Sequence, residues 1–372
     1  MKILHINSYF STSGLFKQLY DRQVSNGCDL DVYVPIPYDY PDERMAASGS
    51  YTTISPCYKS YERAIFHLKH RRILNDLKDR FDYPSYDLMH AHSLFSNGYL
   101  AYHLWKQYKI PYVVSVRNTD VRTFFERMPL LRKMGLDILR QAQAVIFISR
   151  NSYNQVLNNY IPENFRDEFI IKTQVIPNGI DNFWHENRYE ERVFPLDSPI
   201  KIISTGKIMG RKRFIQLAEM VQIYDENIQA MELHIVGPDW NKKIVKKLEQ
   251  FPQVHYHGPM KREELRDIYR KMDIFALLSY PETFGLVYPE AMSQGLPVIY
   301  TKNEGFDSFF KNCQVGVSVD KTNQLQFNQA VDFIIKYYYS ISKNALIGSQ
   351  LFDWDNVTSS YLKIYQNIIK GD

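Results

Sequence analysis

Cysteine is nearly missing from this chain: Cys28, Cys57 and Cys313 stand far apart among 372 residues. An odd count with no C-x-x-C pair and no His-Cys cluster excludes a disulfide framework and a zinc ribbon, and leaves three reduced, structural thiols. Long apolar runs are lacking too, so no segment has the length a bilayer-spanning helix needs. The balance of 45% apolar and 23% charged residues is that of a globular protein and excludes a disordered one. Met1–Asn7 has no apolar signal core and reads as a first β-strand, so the mature protein is expected to begin here and to work in the cytoplasm. The formal charge is only +4, which suits anionic small ligands or an anionic membrane surface rather than nucleic acid. Low-complexity tracts and short-period repeats are also absent.

What the chain does have is alternation. Short β-branched or apolar runs alternate with helical periodicity: strand 2–6, helix 15–25, strand 30–35, strand 87–91, helix 98–107, strand 111–116, helix 130–141 and strand 144–148. This is the pattern of a parallel sheet with crossover helices. It lapses between Asp181 and Ser198, where a linker is expected, and restarts at 200–204. Strands at 232–236, 254–257, 273–278 and 297–300 follow, with helices at 241–250, 261–272 and 286–294 between them. The expected fold is therefore α/β, with two Rossmann-like domains of a length that one core would not hold. Residues 1–185 form the first, 186–350 the second and 351–372 a closing helical tail. Such sheets bind ligands beyond the carboxyl ends of their strands, so the loops after strands are the places to search.

The segment Ser279–Val298 carries the most chemistry. It follows a strand and opens a helix; Gly285 lets backbone approach a ligand, and the first free N–H groups near Leu286 suit a diphosphate. Pro289 is tolerated in a first turn. Glu282 in the loop and Glu290 one turn into the helix can meet different hydroxyl-bearing parts of one ligand, which is chemistry for a sugar nucleotide. Upstream, Ser204–Phe214 is a glycine-punctuated basic loop leading into a helix, with Lys207 and Lys212 as candidates to meet the negative charge of a departing nucleoside diphosphate. Cations at a helix start oppose its dipole, which favours an anionic ligand over an idle basic turn.

Glu282 to Glu290, in the form E-T-F-G-L-x-x-x-E-A-M, resembles the E-x7-E motif of family 4 glycosyltransferases, and G-L-P-V follows it. The basic loop is similar to that family's G-R-x-x-x-x-K-G loop, with Lys207 for the usual Arg and Arg213 for the usual Gly. Lys offers a point charge where Arg offers a fork. The resemblance implies the two-domain GT-B fold, its domains facing across a cleft and a closing helix crossing back to the N-terminal domain. It implies a retaining transfer from a nucleotide diphosphate sugar, UDP-linked by expectation, to a polysaccharide or lipid-linked oligosaccharide, the sugar being a hexosyl or N-acetylhexosaminyl group. It further implies that Glu290 binds the donor ribose, that Glu282 faces the donor sugar, and that Thr283, Phe284, Gly285 and Leu286 line the donor. Gly206 and Gly14 approach the phosphates, and Gly258 and Met260 lie at the base. No metal and no other cofactor is expected, because lysines and a helix end serve the diphosphate and no Asp-x-Asp cluster follows a strand.

The N-terminal half departs more from the family. Asp87–Ser93 resembles its D-x-I-H-x-H strand end, so His90 and His92 either line an acceptor site with Asn118 or cap structure. Where relatives carry a histidine beside the donor sugar this chain has Arg117, with Asp120 following. Arg117 either orients a substrate or pairs with Asp120, which otherwise binds a hydroxyl; a front-side transfer in which the leaving phosphate takes the acceptor proton needs no histidine there. Two basic segments with interleaved apolar residues, 61–74 and 124–133, are either solvated helix faces or peripheral contacts with anionic lipid on the inner membrane face. Two rivals remain: a sugar-nucleotide epimerase, against which the E-x7-E context speaks, and a catalytically silent binding subunit, which Arg117 keeps open.

Overall fold

The computed structural model describes residues 1–190, 192, 198–321 and 323–371. The chain divides into two compact units, Met1–Pro177 with Trp354–Asp372, and Asn178–Asp353.

The first unit is built on seven parallel strands: β1 (Lys2–Ile6), β2 (Asp29–Pro37), β3 (Thr52–Tyr58), β4 (Leu88–Ala91), β5 (Tyr112–Val116), β6 (Ala144–Phe147) and β7 (Thr173–Val175). Their order is β3-β2-β1-β4-β5-β6-β7. Strands β4, β5 and β6 are buried along their whole length, as a sheet covered on both faces requires. The closing helix Trp354–Lys370 belongs to this unit and packs on helix Leu15–Ser25. Trp354, Val357, Tyr361, Ile364 and Tyr365 are buried at helical spacing, each contributing about 1.5–3 kcal/mol at the upper limit. The 2.5 Å ion pair between Arg22 and the exposed Asp355 adds less than about 1 kcal/mol, because water screens it.

The second unit holds six parallel strands: β8 (Ile200–Thr205), β9 (Met231–Val236), β10 (Val254–Tyr256), β11 (Ile274–Leu277), β12 (Val298–Thr301) and β13 (Gly316–Val319). Their order is β10-β9-β8-β11-β12-β13. In both sheets the strand order reverses once, between β1 and β4 and between β8 and β11. The loops leaving those strands are where a doubly wound fold opens a binding crevice.

The expected boundary at 185 moves to 177. Ile180 donates its N–H to the Phe352 carbonyl, helix Asn182–Glu186 buries Trp184, and Arg192 donates to the carbonyls of Tyr269, Met272 and Gln294. The expected linker is thus packed onto the second unit where it is described; its residues 191 and 193–197 lie outside the described residues, as do 322 and 372. Among the described residues no helix is long and apolar enough to cross a membrane.

Candidate active site

The loops after β8 and β11 meet at the reversal point of the second sheet. After β8 the chain runs through Gly206 into a single 3-10 turn, Gly210–Lys212, which ends at Arg213 in the left-handed conformation (φ 55°) before helix Phe214–Asn227. That is the position where the family carries Gly, and the reason is visible: the turn requires a positive φ, which costs a side chain of order 1 kcal/mol or more. Arg213 is held there by its guanidinium, which donates to the Lys321 carbonyl at 3.1 Å and lies 5.5 Å from the Tyr280 ring centroid.

The turn aims Lys212 inward. Its side chain is only 10% exposed, and its Nζ donates to Glu282 Oε2 at 2.6 Å. The Ser279 hydroxyl donates to the same oxygen at 2.8 Å, and Arg211 stands 3.7 Å away. Burial alone would raise the Glu282 carboxyl; the Lys212 ammonium, the Ser279 hydroxyl and Arg211 together outweigh it and hold the group below the usual carboxylate range. The Glu282 loop is itself fixed: the Glu304 carboxylate accepts from the Glu282 N–H at 2.5 Å, and the Gly305 N–H donates to the Glu282 carbonyl. Gly285 has φ 83°, and a Cβ there would strike the Tyr288 ring. Tyr288 is pinned in turn by donating to the Leu277 carbonyl at 2.6 Å.

Glu290 lies in the short helix Val287–Ser293, facing a different neighbourhood. Its residue is half-buried, yet its carboxyl is desolvated enough to be pushed up to about 8, by burial first and by the Asp181 charge second. Tyr269, on helix Arg262–Tyr269, feels the Glu290 charge and shares a hydrogen bond of 3.0 Å with Thr205 at the end of β8. Asp181 accepts from Arg262 at 3.2 Å. Asp181 and Tyr269 belong to the surroundings of Glu290 and went unread in the sequence. Only their electrostatic relation to Glu290 marks them, and no spacing pattern carries that relation.

Lys207 does not join Lys212. It is exposed, with Nζ 3.9 Å above the Trp240 ring on the loop after β9. Gly206, Gly237 and Gly258, which end β8, β9 and β10, all have positive φ. The Gly206 N–H donates to the Val236 carbonyl and the Gly237 N–H to that of Gly258, so the strand-end turns are tied in a row. Met260 follows two residues later, half-buried.

In the first unit, His90 and His92 have no exposed surface, which corrects the expectation that they line an acceptor site. His90 lies 2.6 Å from the Tyr365 hydroxyl and 2.9 Å from that of Ser115; His92 lies 3.0 Å from His5. Burial drives all three imidazoles toward the neutral form. Arg117 donates to the His92 carbonyl at 3.1 Å and is nearly buried. Asp120 binds backbone instead of a hydroxyl: the N–H groups of Leu94, Phe95 and Arg117 all donate to it within 3.0 Å. Burial outweighs those bonds and raises its carboxyl to about 6. Asn118 is half-buried, and Gly14, before helix Leu15–Ser25, is exposed, with open space where a Cβ would stand.

Two doubly wound parallel sheets, one with a lysine-carboxylate pair at its reversal point, are the architecture of the GT-B fold. The family profile described as Glycosyltransferase Family 4 matches residues 15–182, and the one described as Glycosyl transferases group 1 matches residues 187–346. The chain belongs to the family 4 glycosyltransferases, and its activity is transfer of a sugar from a nucleotide-sugar donor. TuaC of Bacillus subtilis, assigned to teichuronic acid biosynthesis, is 25% identical over 342 residues, covering 83% of each chain. A sucrose-phosphate synthase structure from Thermosynechococcus elongatus superposes with a TM-score of 0.72 at 18% identity, covering 100% of both chains. Anabaena HepE in complex with UDP and glucose does so with 0.67 at 15% identity, over 99% of this chain and 100% of that one. At such identities these structures show the fold.

Proposed function

We propose that this chain moves a hexosyl or N-acetylhexosaminyl group from a UDP-sugar onto a polysaccharide or lipid-linked oligosaccharide, with retention at the anomeric carbon. The observation that carries the donor site is the Lys212–Glu282 pair, seated with Glu290 around the reversal point of the second sheet. Lys212 meets the charge that grows on the departing diphosphate, where a preorganised cation is worth most. Glu282 exchanges part of its pairing with Lys212 for a hydroxyl of the sugar. Glu290 accepts from ribose hydroxyls, and Gly258 and Met260 border the base. Glu282 is already committed to Lys212 and Ser279, so it serves as a binding group and not as a nucleophile. A front-side departure and attack, with the leaving phosphate taking the acceptor proton, then gives retention without a protein nucleophile and without a metal in the transfer step.

The test is incubation with UDP-, GDP- and ADP-sugars, reading slow hydrolysis and the anomer first released by NMR. One UDP-sugar is expected to be turned over with retention. Inversion overturns the mechanism, and nucleotide binding without any turnover makes the chain a binding subunit.

The lipid-linked acceptor rests on the first unit. The two basic segments adjoin there, with the Phe66 and Phe124 rings 5.6 Å apart. Beside them Tyr61, Ile65, Leu68, Met128 and Leu130 are exposed, Leu130 at 94%, among exposed Arg63, Arg71, Arg72, Arg127 and Lys133. Apolar side chains standing out among cations fit an anionic membrane surface, each cation adding ~1 kcal/mol. The protein is expected to co-sediment with anionic vesicles, and Leu130→Glu to weaken this several-fold. Wild-type protein left in the supernatant sinks the membrane reading and leaves the donor site untouched.

A further inference from the structure

Parallel strands β9 and β10, at the edge of the second sheet, place four polar side chains on one face. Glu232 and His234 alternate along β9; His255 is the register partner of His234 on β10, and His257 follows just past its end. His234 Nε2 is buried with no hydrogen-bond partner, and Glu232 Oε2 stands 3.4 Å from it. His255 Nε2 lies 3.9 Å from the same carboxylate oxygen. All three ligand atoms fall within 4.8 Å of one another.

We propose that Glu232, His234 and His255 form a site for a divalent transition metal, zinc in the first instance, on the edge of the nucleotide-binding unit and separate from the donor site.

The distances favour a metal over a proton. At 3.4 Å a His–Glu contact is too long for a good hydrogen bond. Ligands held at ~2.0–2.2 Å around a tetrahedral zinc stand about 3.3 Å apart, so the 3.4 Å and 3.9 Å separations from Glu232 close onto an ion with shifts of about 0.1 and 0.6 Å, and the two histidines, within 4.8 Å of each other, approach by rotation of the exposed His255. The contact on the far side of the ring suits a ligand: His234 Nδ1 lies 3.0 Å from His257 Nε2. With an ion bound, the proton sits on Nδ1 and is donated to His257, and the Nε2 lone pair is turned to the metal beside the carboxylate, the arrangement in which an outer histidine orients a ligating one. The fourth position is open, because Glu232 and His255 line an open depression of about 460 Å³ that also carries Asp225 and Glu226. These carboxylates raise the local cation concentration.

A second histidine group among the described residues, His5, His90 and His92, makes a contrast. It has no carboxylate, it is fully buried, and the Arg117 charge acts on His90 and His92. The Arg117 charge opposes a cation there.

An ion on Glu232, His234 and His255 clasps the three-residue edge strand β10 to β9. Beyond those strands the Gly237 N–H meets the Gly258 carbonyl at 2.8 Å and the Tyr256 hydroxyl donates to the Gly237 carbonyl at 2.9 Å. The ion therefore stiffens the turn that bears Gly258, while the transfer chemistry stays independent of it.

Zinc is titrated by calorimetry into the full chain, freed of any purification tag and stripped with chelator. One ion per chain is expected, and thermal unfolding of the full chain rises by roughly 3–4 °C at a hundredfold excess over Kd. Glu232→Gln and the exposed His255→Gln are each expected to weaken binding at least tenfold while unfolding, metal-free, within about 2 °C of wild type. Stoichiometry well below one, or wild-type affinity in both variants, overturns the site.

Discussion

Lys212→Ala is expected to lower kcat with the UDP-sugar by roughly 10²- to 10³-fold while the donor KM changes by less than tenfold. The split follows from where the charge appears. In the bound donor the diphosphate charge is already shared over several oxygens, and the extra charge arrives only as the glycosidic bond breaks. A cation fixed at that point stabilises the transition state more than the ground state, so its loss falls on kcat. Lys212 is fixed: its side chain is almost buried and its Nζ is held 2.6 Å from Glu282. The substitution also strands the Glu282 carboxylate, leaving it Ser279 and, at 3.7 Å, Arg211. A melting curve is therefore recorded beside the kinetics; loss of a nearly buried partner destabilises by up to about 3 kcal/mol, and Arg211 offsets part of it. A folded variant with kcat within tenfold of wild type contradicts the role given to Lys212.

A second large effect concerns pH. The Glu290 carboxyl is lifted to about 8 in the free protein, by burial and then by Asp181. Ribose hydroxyls donate to a carboxylate and favour its ionised form, so binding below pH 8 must expel a proton. Affinity for a UDP-sugar is then expected to rise about tenfold per pH unit up to about 8 and to level off above it, up to ~100-fold between pH 6 and 8. Both phosphates of a UDP-sugar are diesters, so the ligand charge is constant over that range. The free protein moves the other way. A carboxyl whose pKa is raised on folding contributes stability that is fully present below its unfolded value near 4.5 and is lost as pH rises through about 8. Glu290→Gln should flatten both profiles. An affinity that is flat or falls with pH in the wild type, or a slope kept in the variant, removes Glu290 from the donor site.

Much of this was legible in the sequence, and the limits have physical causes. Strand β1 and helix Leu15–Ser25 were read to the residue, because KILHI is apolar enough for a covered sheet and the helix keeps one apolar stripe. The loops after β8 and β11 were legible because the family motifs they resemble set glycine and charge at fixed offsets there. Strand β3 was not: its Ser55-Pro56 reads as a turn, and as an edge strand it tolerates proline. β7 has three residues, too few to show a period. Arg213 was read as a departure from glycine, while its left-handed backbone shows the geometry kept and the residue changed. His90 and His92 look alike in a sequence whether they face a cleft or a core, and here the contacts with Tyr365 and His5 come from segments distant in the chain. Asp181 and Tyr269 were invisible for the same reason.

The central claim is that nucleotide sugar binds at the reversal point of the second sheet. It is tested most directly by calorimetric titration of a UDP-sugar into the wild-type chain and into Glu290→Ala at pH 8. One site per chain is predicted, weakened by about 10- to 100-fold in the variant through loss of charge-assisted hydrogen bonds. No binding to the wild type, or the same isotherm in both proteins, contradicts the account.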